Sequence, residues 1–178
     1  NSLSGLCKRK DFLGIDEEAK SHPNRTYYFR KYQDTDKLIE MCTQQLEFEE
    51  KNIQILNMRG SAYMKKGQDE TYRMAIEDFT SIIDLTHGQD VTALYYRGVS
   101  LQKIGLINEA IVDFSKVMEL TFNEHVNAAY ARAACYNSKG NFLKAIDDYN
   151  LALVKDQEKL ENGIGIPGNT SDFGALTP

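Results

Sequence analysis

Residues 91–124 read VTALYYRGVSLQKIGLINEAIVDFSKVMELTFNE, and this stretch decides the fold class of the chain. Its second half spaces apolar side chains so that they share one face of a helix. These residues are Ile111, Phe114, Val117 and Met118. In the first half, Leu94, Gly98 and Leu101 share one face in the same way. Gly105 lies between the halves, where a helix end favours a residue that tolerates a left-handed backbone. The stretch therefore predicts two short amphipathic helices joined by a turn.

This unit recurs on both sides of itself. The matched positions of the second helix are Ala75, Ile76, Asp78 and Phe79; Ala110, Ile111, Asp113 and Phe114; and Ala145, Ile146, Asp148 and Tyr149. Those of the first helix are Arg59, Gly60, Tyr63 and Gly67; Arg97, Gly98, Leu101 and Gly105; and Arg132, Ala133, Tyr136 and Gly140. The copies differ in length only between the two helices, which is where a turn accepts extra residues. The pattern predicts a repeat protein.

The repeated unit resembles the tetratricopeptide repeat, a helix-turn-helix unit with small residues where its helices cross and aromatic residues where they interlock. Gly60 and Gly98 stand at the small position of the first helix. Ala75, Ala110 and Ala145 stand at the small position of the second helix, and Phe79, Phe114 and Tyr149 at its aromatic position. The resemblance implies an all-α fold, a right-handed superhelix of stacked repeats. The family often ends the second helix with proline, and His87 and Phe122 in that region predict less sharply fixed helix ends.

The periodicity divides the chain into six segments. They are an N-terminal segment with short helices at 1–33, the second helix of a degenerate first repeat at 34–52, repeats at 53–90, 91–125 and 126–161, the last with an extended final helix, and an irregular tail at 162–178. The degenerate repeat places Leu38, Ile39, Cys42, Leu46 and Phe48 at the apolar positions of the later second helices. Terminal repeats are expected to be atypical. A chain that begins at Asn1 without methionine is expected to be a fragment.

Composition describes an ordinary soluble domain, with 42% hydrophobic residues, 26% charged residues and a net charge of −5. The acidic balance argues against a nucleic-acid groove, which requires a basic surface. No apolar run reaches the roughly 18 residues of a membrane span, so no membrane association is predicted. Cys7, Cys42 and Cys135 cannot all pair, which favours reduced thiols and a cytoplasmic location. Glycosylation triplets at Asn24 and Asn169 leave secretion as the alternative.

The sequence contains no catalytic or metal-binding pattern, which predicts a noncatalytic protein without cofactor or metal. His22, His87 and His125 are far apart in sequence and are interpreted as surface residues. Asp147 and Asp148 are adjacent on a predicted helix and therefore point apart, which suits a charged outer face better than acid–base chemistry. The glycines recur at repeat intervals instead of forming a phosphate-binding loop.

One arginine and one aspartate recur in every clear repeat, as Arg59, Arg97 and Arg132 with Asp78, Asp113 and Asp148. The arginines could line a site for an acidic ligand. Alternatively, each could pair with an aspartate of its own or an adjacent repeat. We favour pairing, because the acid recurs in step with the base and an isolated buried arginine would be costly.

The resemblance implies that partners bind on the concave surface formed by first helices. Helical spacing projects onto that surface Gln54, Asn57, Ser61 and Met64; Thr92, Tyr95, Val99 and Gln102; and Asn127, Tyr130, Ala134 and Asn137. This set carries no charge. Amides can hydrogen-bond the backbone of an extended peptide while tyrosine rings pack on its side chains. We therefore predict a protein-interaction scaffold that binds a peptide segment of a partner protein.

Two alternatives remain for the function, and one for the partner. The first is a co-chaperone-type adaptor for heat-shock chaperone tails, although the family's carboxylate clamp is mostly absent, with Asn57, Ser61, Tyr96 and Ala128 at its lysine and asparagine positions and only Arg132 matching. The second is the regulatory or targeting domain of a larger enzyme.

Self-association through the C-terminal repeat is also expected to be possible, because no further helix follows to cover the face of Ala145. The tail or a partner could cover it instead.

Overall fold

A computed structural model describes residues 35–163, which form seven α-helices and no strand. The helices are α1 (Thr35–Leu46), α2 (Ile53–Lys66), α3 (Asp69–Leu85), α4 (Val91–Lys103), α5 (Ile107–Leu120), α6 (Val126–Ser138) and α7 (Phe142–Gly163). This confirms the predicted all-α class. Predictions for residues 1–33 and 164–178 lie outside the described residues, while positions 162 and 163, assigned to the tail, belong to α7. Among these helices, none is both long and apolar enough to cross a membrane.

The chain divides into two compact units, with the boundary between Asp113 and Phe114 inside α5. In the first unit α1 packs against α2, α2 against α3 and α3 against α4, and α2 also touches α4. Its core includes Cys42, Leu56, Phe79, Ile82 and Leu94, all buried. Each helix thus covers the apolar face of the helix before it, as the repeat pattern requires.

The second unit consists of the last turns of α5 together with α6 and α7, and α6 packs against α7. Its buried side chains include Phe114, Val117, Met118, Ala129 and Ala152. Phe114 is fully buried like its counterpart Phe79 in the first unit. The same aromatic position of the repeat therefore serves as a core position in both units.

Phe48 is the one predicted core residue of the degenerate repeat that the structure exposes. Helix α1 ends at Leu46, and the Phe48 side chain beyond it is 83% exposed. Leu38, Cys42 and Leu46 are buried as predicted, and Ile39 is half-buried. The assignment of Phe48 was wrong because helical spacing was continued past the point where the helix stops.

The helix ends at His87 and Phe122 are closed without proline. The Gly88 N–H donates to the carbonyl of Ile83 at 2.8 Å, and the Asn123 N–H donates to that of Met118 at 2.8 Å. His87 and Phe122 adopt φ values of 52° and 51°, in the left-handed region. This geometry satisfies carbonyls that a helix end leaves open. The expectation of less sharply fixed ends at these positions was therefore wrong.

Gly60 lies where α2 crosses α3. A Cβ atom added there would lie 3.0 Å from Cζ of Phe79, which is fully buried and has little room to move. Glycine thus allows the two helices to approach closely enough for the aromatic ring to fill the crossing point. The structure confirms the predicted pairing of a small position with an aromatic position.

We expect Gly60→Ala to lower the free energy of unfolding by about 1 kcal/mol. Overpacking against Phe79 costs about 1–3 kcal/mol, and the better helix propensity of alanine returns about 1 kcal/mol. In a Phe79→Leu background, where the ring is gone, the same substitution should be neutral or stabilising. Urea unfolding followed by circular dichroism measures both effects. An equal loss in the two backgrounds would contradict the crossing-point explanation.

Candidate functional site

Each recurring arginine forms a two-pronged ion pair with the aspartate of its own repeat. In the first unit, Arg59 donates from Nε to Oδ2 of Asp78 at 3.0 Å and from Nη2 to Oδ1 at 2.6 Å. Arg97 donates in the same way to Asp113, at 2.8 and 2.7 Å. In the second unit, Arg132 donates to Asp148 at 2.7 Å through both nitrogens. The predicted pairing is confirmed, and it joins the two helices of each repeat.

The remaining guanidinium nitrogen reaches the second helix of the preceding repeat. Nη1 of Arg59, Arg97 and Arg132 donates to a hydroxyl at 3.2 Å in each case, and the acceptors are Thr43, Thr80 and Ser115. These hydroxyls were not predicted from the sequence. A signal was nevertheless present in the spacing. Thr80 and Ser115 lie five residues after the small residues Ala75 and Ala110 of their helices, and Thr43 lies five residues after Leu38 of α1.

Burial makes each carboxylate depend on its arginine. The side chains of Asp78, Asp113 and Asp148 are only 3, 4 and 9% exposed, so an ionised carboxylate there requires a paired cation. Burial raises the pKa of Asp78, and the hydrogen bond from Arg59 opposes that rise. Hydrogen bonds to the aspartates in turn raise the pKa of Arg59, Arg97 and Arg132. The arginines are thus committed to structural partners.

The predicted groove residues all lie at exposed or half-buried positions of the first helices. On α2 and α4 of the first unit, Gln54 and Thr92 are exposed, and Asn57, Ser61, Tyr95, Val99 and Gln102 are half-buried. On α6 of the second unit, Asn127 and Asn137 are exposed and Tyr130 is half-buried. Helices α2 and α4 are in contact, so the seven residues named on these two helices belong to adjoining helices. Their role in binding stays a prediction.

Two of the groove tyrosines are held by other aromatic rings. The ring of Tyr95 lies 5.4 Å from that of Tyr96, which stacks on Phe79 at 5.8 Å. The ring of Tyr130 lies 6.0 Å from that of Tyr149. Burial is the main cause that raises the pKa of Tyr95, and the neighbouring Tyr96 adds to it. The phenol of Tyr95 therefore stays protonated and can donate a hydrogen bond at neutral pH. These contacts restrict the motion of both rings.

His125 was interpreted as a surface residue, but the structure gives it a capping role. Its Nδ1 accepts a hydrogen bond from the N–H of Ala128 at 3.0 Å at the start of α6. Asn52 and Asp90 cap α2 and α4 from the corresponding positions. The repeat alignment carried this signal, which was overlooked because histidine is not among the preferred capping residues. Within residues 35–163 no cluster of histidine, cysteine, aspartate or glutamate is arranged to hold a metal ion.

Comparison with solved structures returned chains of the same fold. A MamA structure from MSR-1 is 21% identical, with a TM-score of 0.65 over 74% of this chain and 72% of that one. MamA 41-end from Desulfovibrio magneticus RS-1 is 13% identical, with a TM-score of 0.67 over 73% and 71% of the two chains. MamA is a tetratricopeptide-repeat protein, so the chain has the tetratricopeptide-type fold that the sequence predicted. Comparisons with protein-family models and with curated proteins found no match.

We expect Arg97→Leu to lower the free energy of unfolding by about 3 kcal/mol, because it leaves the buried Asp113 carboxylate without its cation. The matched control Thr80→Val removes the hydroxyl that accepts from Arg97 and donates to the Ile76 carbonyl, and it should cost about 1 kcal/mol. Urea unfolding measures both losses. A partner's affinity for folded Arg97→Leu should be little changed. A collapse of affinity without loss of stability would make the arginine a ligand-binding residue.

Cys42 and Cys135 are expected to resist alkylation in the native protein. Both are buried, and burial raises the pKa of Cys135 and raises that of Cys42 to about 11, so neither thiol ionises at neutral pH. Mass spectrometry after iodoacetamide treatment should show both unmodified, and modified once urea unfolds the chain. Rapid modification of either thiol in the native protein would contradict its burial.

Proposed function

We propose that this protein is a noncatalytic interaction scaffold whose first helices bind a peptide segment of a partner protein. The proposed contact residues are Gln54, Asn57, Ser61, Thr92, Tyr95, Val99, Gln102, Asn127, Tyr130 and Asn137. One observation carries the proposal, namely that buried aspartates neutralise the arginine of each first helix. Apart from lysines in the last turns of α2 and α4, the side chains left on these helices are uncharged.

The chemistry of this surface favours an extended, mostly uncharged segment. Amide side chains both donate and accept, so they can satisfy the backbone of a bound peptide. Tyrosine supplies a large apolar face with only two rotatable side-chain bonds, and few degrees of freedom are lost when it is already packed on another ring. Helices fixed by buried ion pairs keep the receptor ordered before binding. The partner therefore bears most of the ordering cost.

A carboxylate clamp for chaperone tails is disfavoured by the environment of the residues that would form it. Arg132 is the only residue that matches the clamp, and its guanidinium is already bonded to Asp148 and Ser115. Ala128, at a lysine position of the clamp, is fully buried and cannot contact a ligand. A terminal carboxylate would thus meet no available cation among these residues.

The two described cysteines support a reducing location. Cys42 and Cys135 are free thiols, and each lies in the core of a different compact unit. A thiol kept protonated by burial behaves as a small apolar side chain and serves packing. We therefore propose a cytoplasmic location. Measuring the oxidation state of these thiols in material isolated under acid quench tests that placement, and a disulfide would contradict it.

Peptide selection tests the groove directly. A random peptide library displayed on phage is selected on the wild-type protein, and the enriched peptide is then titrated by fluorescence anisotropy. Tyr95→Ala and Tyr130→Ala should each weaken binding about tenfold, which corresponds to roughly 1.4 kcal/mol of lost aromatic contact. Val112→Ala, which shortens an exposed side chain on α5, is the matched control and should leave affinity unchanged.

A peptide ending in acidic residues and a free carboxylate should bind no better than an unrelated peptide. Circular dichroism must show that the tyrosine variants keep their helices. If both folded variants bind the enriched peptide as the wild type does, the contact surface lies elsewhere. Tight binding of the acidic peptide, lost on substitution of Arg132, would favour the co-chaperone interpretation.

A further inference from the structure

A cavity of about 340 Å³ lies in the second unit, at the end where α6 begins. It is lined by the turn between α5 and α6, by the first turn of α6 and by α7. The lining residues are Thr121, Glu124, His125, Val126, Asn127 and Asp156. Sites for small molecules have volumes from about 300 Å³ upward, so a cavity of this size suits one long side chain better than a larger ligand.

The lining is rich in hydrogen-bond acceptors. Glu124 and Asp156 contribute carboxylates, and Asn127 contributes an amide oxygen. The Thr121 hydroxyl donates to the carbonyl of Val117 at 2.8 Å, so its oxygen can still accept a hydrogen bond. None of these lining residues is basic. The cavity therefore favours a ligand that carries several hydrogen-bond donors.

The start of α6 does not turn the cavity into a site for an anion. Free N–H groups at a helix start ordinarily attract anions. Here the N–H of Val126 donates to the Glu124 carbonyl at 3.1 Å, and that of Ala128 donates to Nδ1 of His125 at 3.0 Å. These donors are already used, and the Glu124 carboxylate would repel a second negative charge.

The charge around the cavity is negative. Lys155 of α7 pairs with Glu124 at 2.7 Å and with Glu158 at 2.9 Å, so two carboxylates share this ammonium group. Asp156 adds a third carboxylate, and the structure shows no basic side chain paired with it within residues 35–163. Three carboxylates and one ammonium group leave a net charge of −2. A cationic side chain is therefore attracted to this cavity.

The extra length of α7 supplies the Asp156 carboxylate. Helices α3 and α5 end at the corresponding residues Leu85 and Leu120, and the counterpart of these residues in α7 is Lys155. Helix α7 nevertheless continues to Gly163. Asp156 thus lies beyond the usual end of a second helix in this chain. The extension brings a carboxylate to a position where the other repeats begin a turn.

Phe122 lies in the turn that lines the cavity, and its side chain is 86% exposed. Its φ of 51° is in the left-handed region, which glycine or asparagine adopts more readily than phenylalanine. Closure of the helix end therefore does not require the aromatic ring. An exposed aromatic residue kept in a strained conformation indicates a contact residue. The planar guanidinium of arginine stacks on such rings.

We propose that this cavity binds an arginine side chain of a partner protein. The guanidinium donates to the carboxylates of Glu124 and Asp156, the methylene groups pack on Val126, and the ring of Phe122 covers the side chain from the turn. Arginine fits better than lysine because its five N–H donors lie in one plane and reach several acceptors at once. The inference does not depend on the peptide-binding groove, although Asn127 belongs to both sets of residues.

A titration with Nα-acetyl-arginine amide tests the cavity, with the amide signals of residues 121–127 followed by two-dimensional NMR. We expect saturable shifts and a Kd in the millimolar range, because a single side chain makes few contacts. Asp156→Asn should weaken binding about fivefold. Phe122→Asn, which keeps a residue suited to the left-handed backbone, should weaken it about threefold. Glu50→Gln removes an exposed carboxylate from the turn between α1 and α2 in the first unit, and as the matched control it should leave the affinity unchanged.

Analogues of the probe distinguish the kinds of site. The citrulline amide, which has a similar shape and no charge, should cause no saturable shift, and the Nα-acetyl-lysine amide should bind more weakly than the arginine amide. Equal binding of the citrulline amide would exclude a site for a cation, and equal binding of the lysine amide would overturn the assignment to arginine. Free arginine carries a carboxylate that the cavity should repel. Tighter binding of free arginine would identify a small-molecule site instead of a contact with a protein.

Two further results would overturn the proposal. One is the absence of saturable shifts in residues 121–127 of the wild type. The other is unchanged affinity of Asp156→Asn when circular dichroism shows that the variant keeps its helices. Neither result affects the groove, because the peptide selected on the wild type is titrated separately.

Discussion

The structure depends on a carboxylate buried between the two helices of every repeat. An ionised aspartate at positions 78, 113 and 148 would be strongly destabilising without a cation, and the arginine fork meets it through two hydrogen bonds. The two parallel hydrogen bonds of each arginine–aspartate pair restrict how far one helix can rotate about its axis relative to the other. Apolar contacts alone would restrict this rotation less. The third bond, to a hydroxyl of the preceding second helix, links consecutive repeats. A single side chain thus sets the register within and between repeats.

This arrangement determines what the first helices can offer to a ligand. Their arginines are bonded to buried aspartates, and their small residues lie at close helix crossings, such as that of Gly60 against Phe79. Apart from lysines in the last turns of α2 and α4, the polar side chains that remain outward are amides, hydroxyls and tyrosines. Tyr95, Tyr96 and Tyr130 also contact neighbouring rings. Recognition by such a surface depends on shape and on backbone hydrogen bonds more than on charge. Apart from a few lysines, the outward side chains of these helices are therefore uncharged, although the chain has a net charge of −5.

The sequence predicted what is periodic and missed what is local. The repeats, the small and aromatic positions and the arginine–aspartate pairs recur at matched intervals, so they could be read without coordinates. Phe48 was misplaced because its helix stops at Leu46, and the left-handed ends at His87 and Phe122 depend on hydrogen bonds that no spacing reveals. The capping role of His125 depends on one ring nitrogen. The groove residues follow from helical spacing, but the choice of ligand among possible peptides depends on side-chain conformations that spacing does not determine.

The departure of α7 from the other second helices defines the kind of contact it can make. The hydrogen bond to Asp113 is the main cause that raises the pKa of Arg97, and the charge of Asp84, one turn after Thr80, adds to it, so the internal contact combines a hydroxyl with a nearby carboxylate. In α7 the residue that corresponds to Thr80 is Asn150, and the residue one turn after it is Val154, which is exposed. Around Asn150, α7 thus presents an amide and apolar surface where α3 presents a hydroxyl and a carboxylate. A contact on this face would gain more from apolar burial and less from charge than the arginine contacts inside the repeats do.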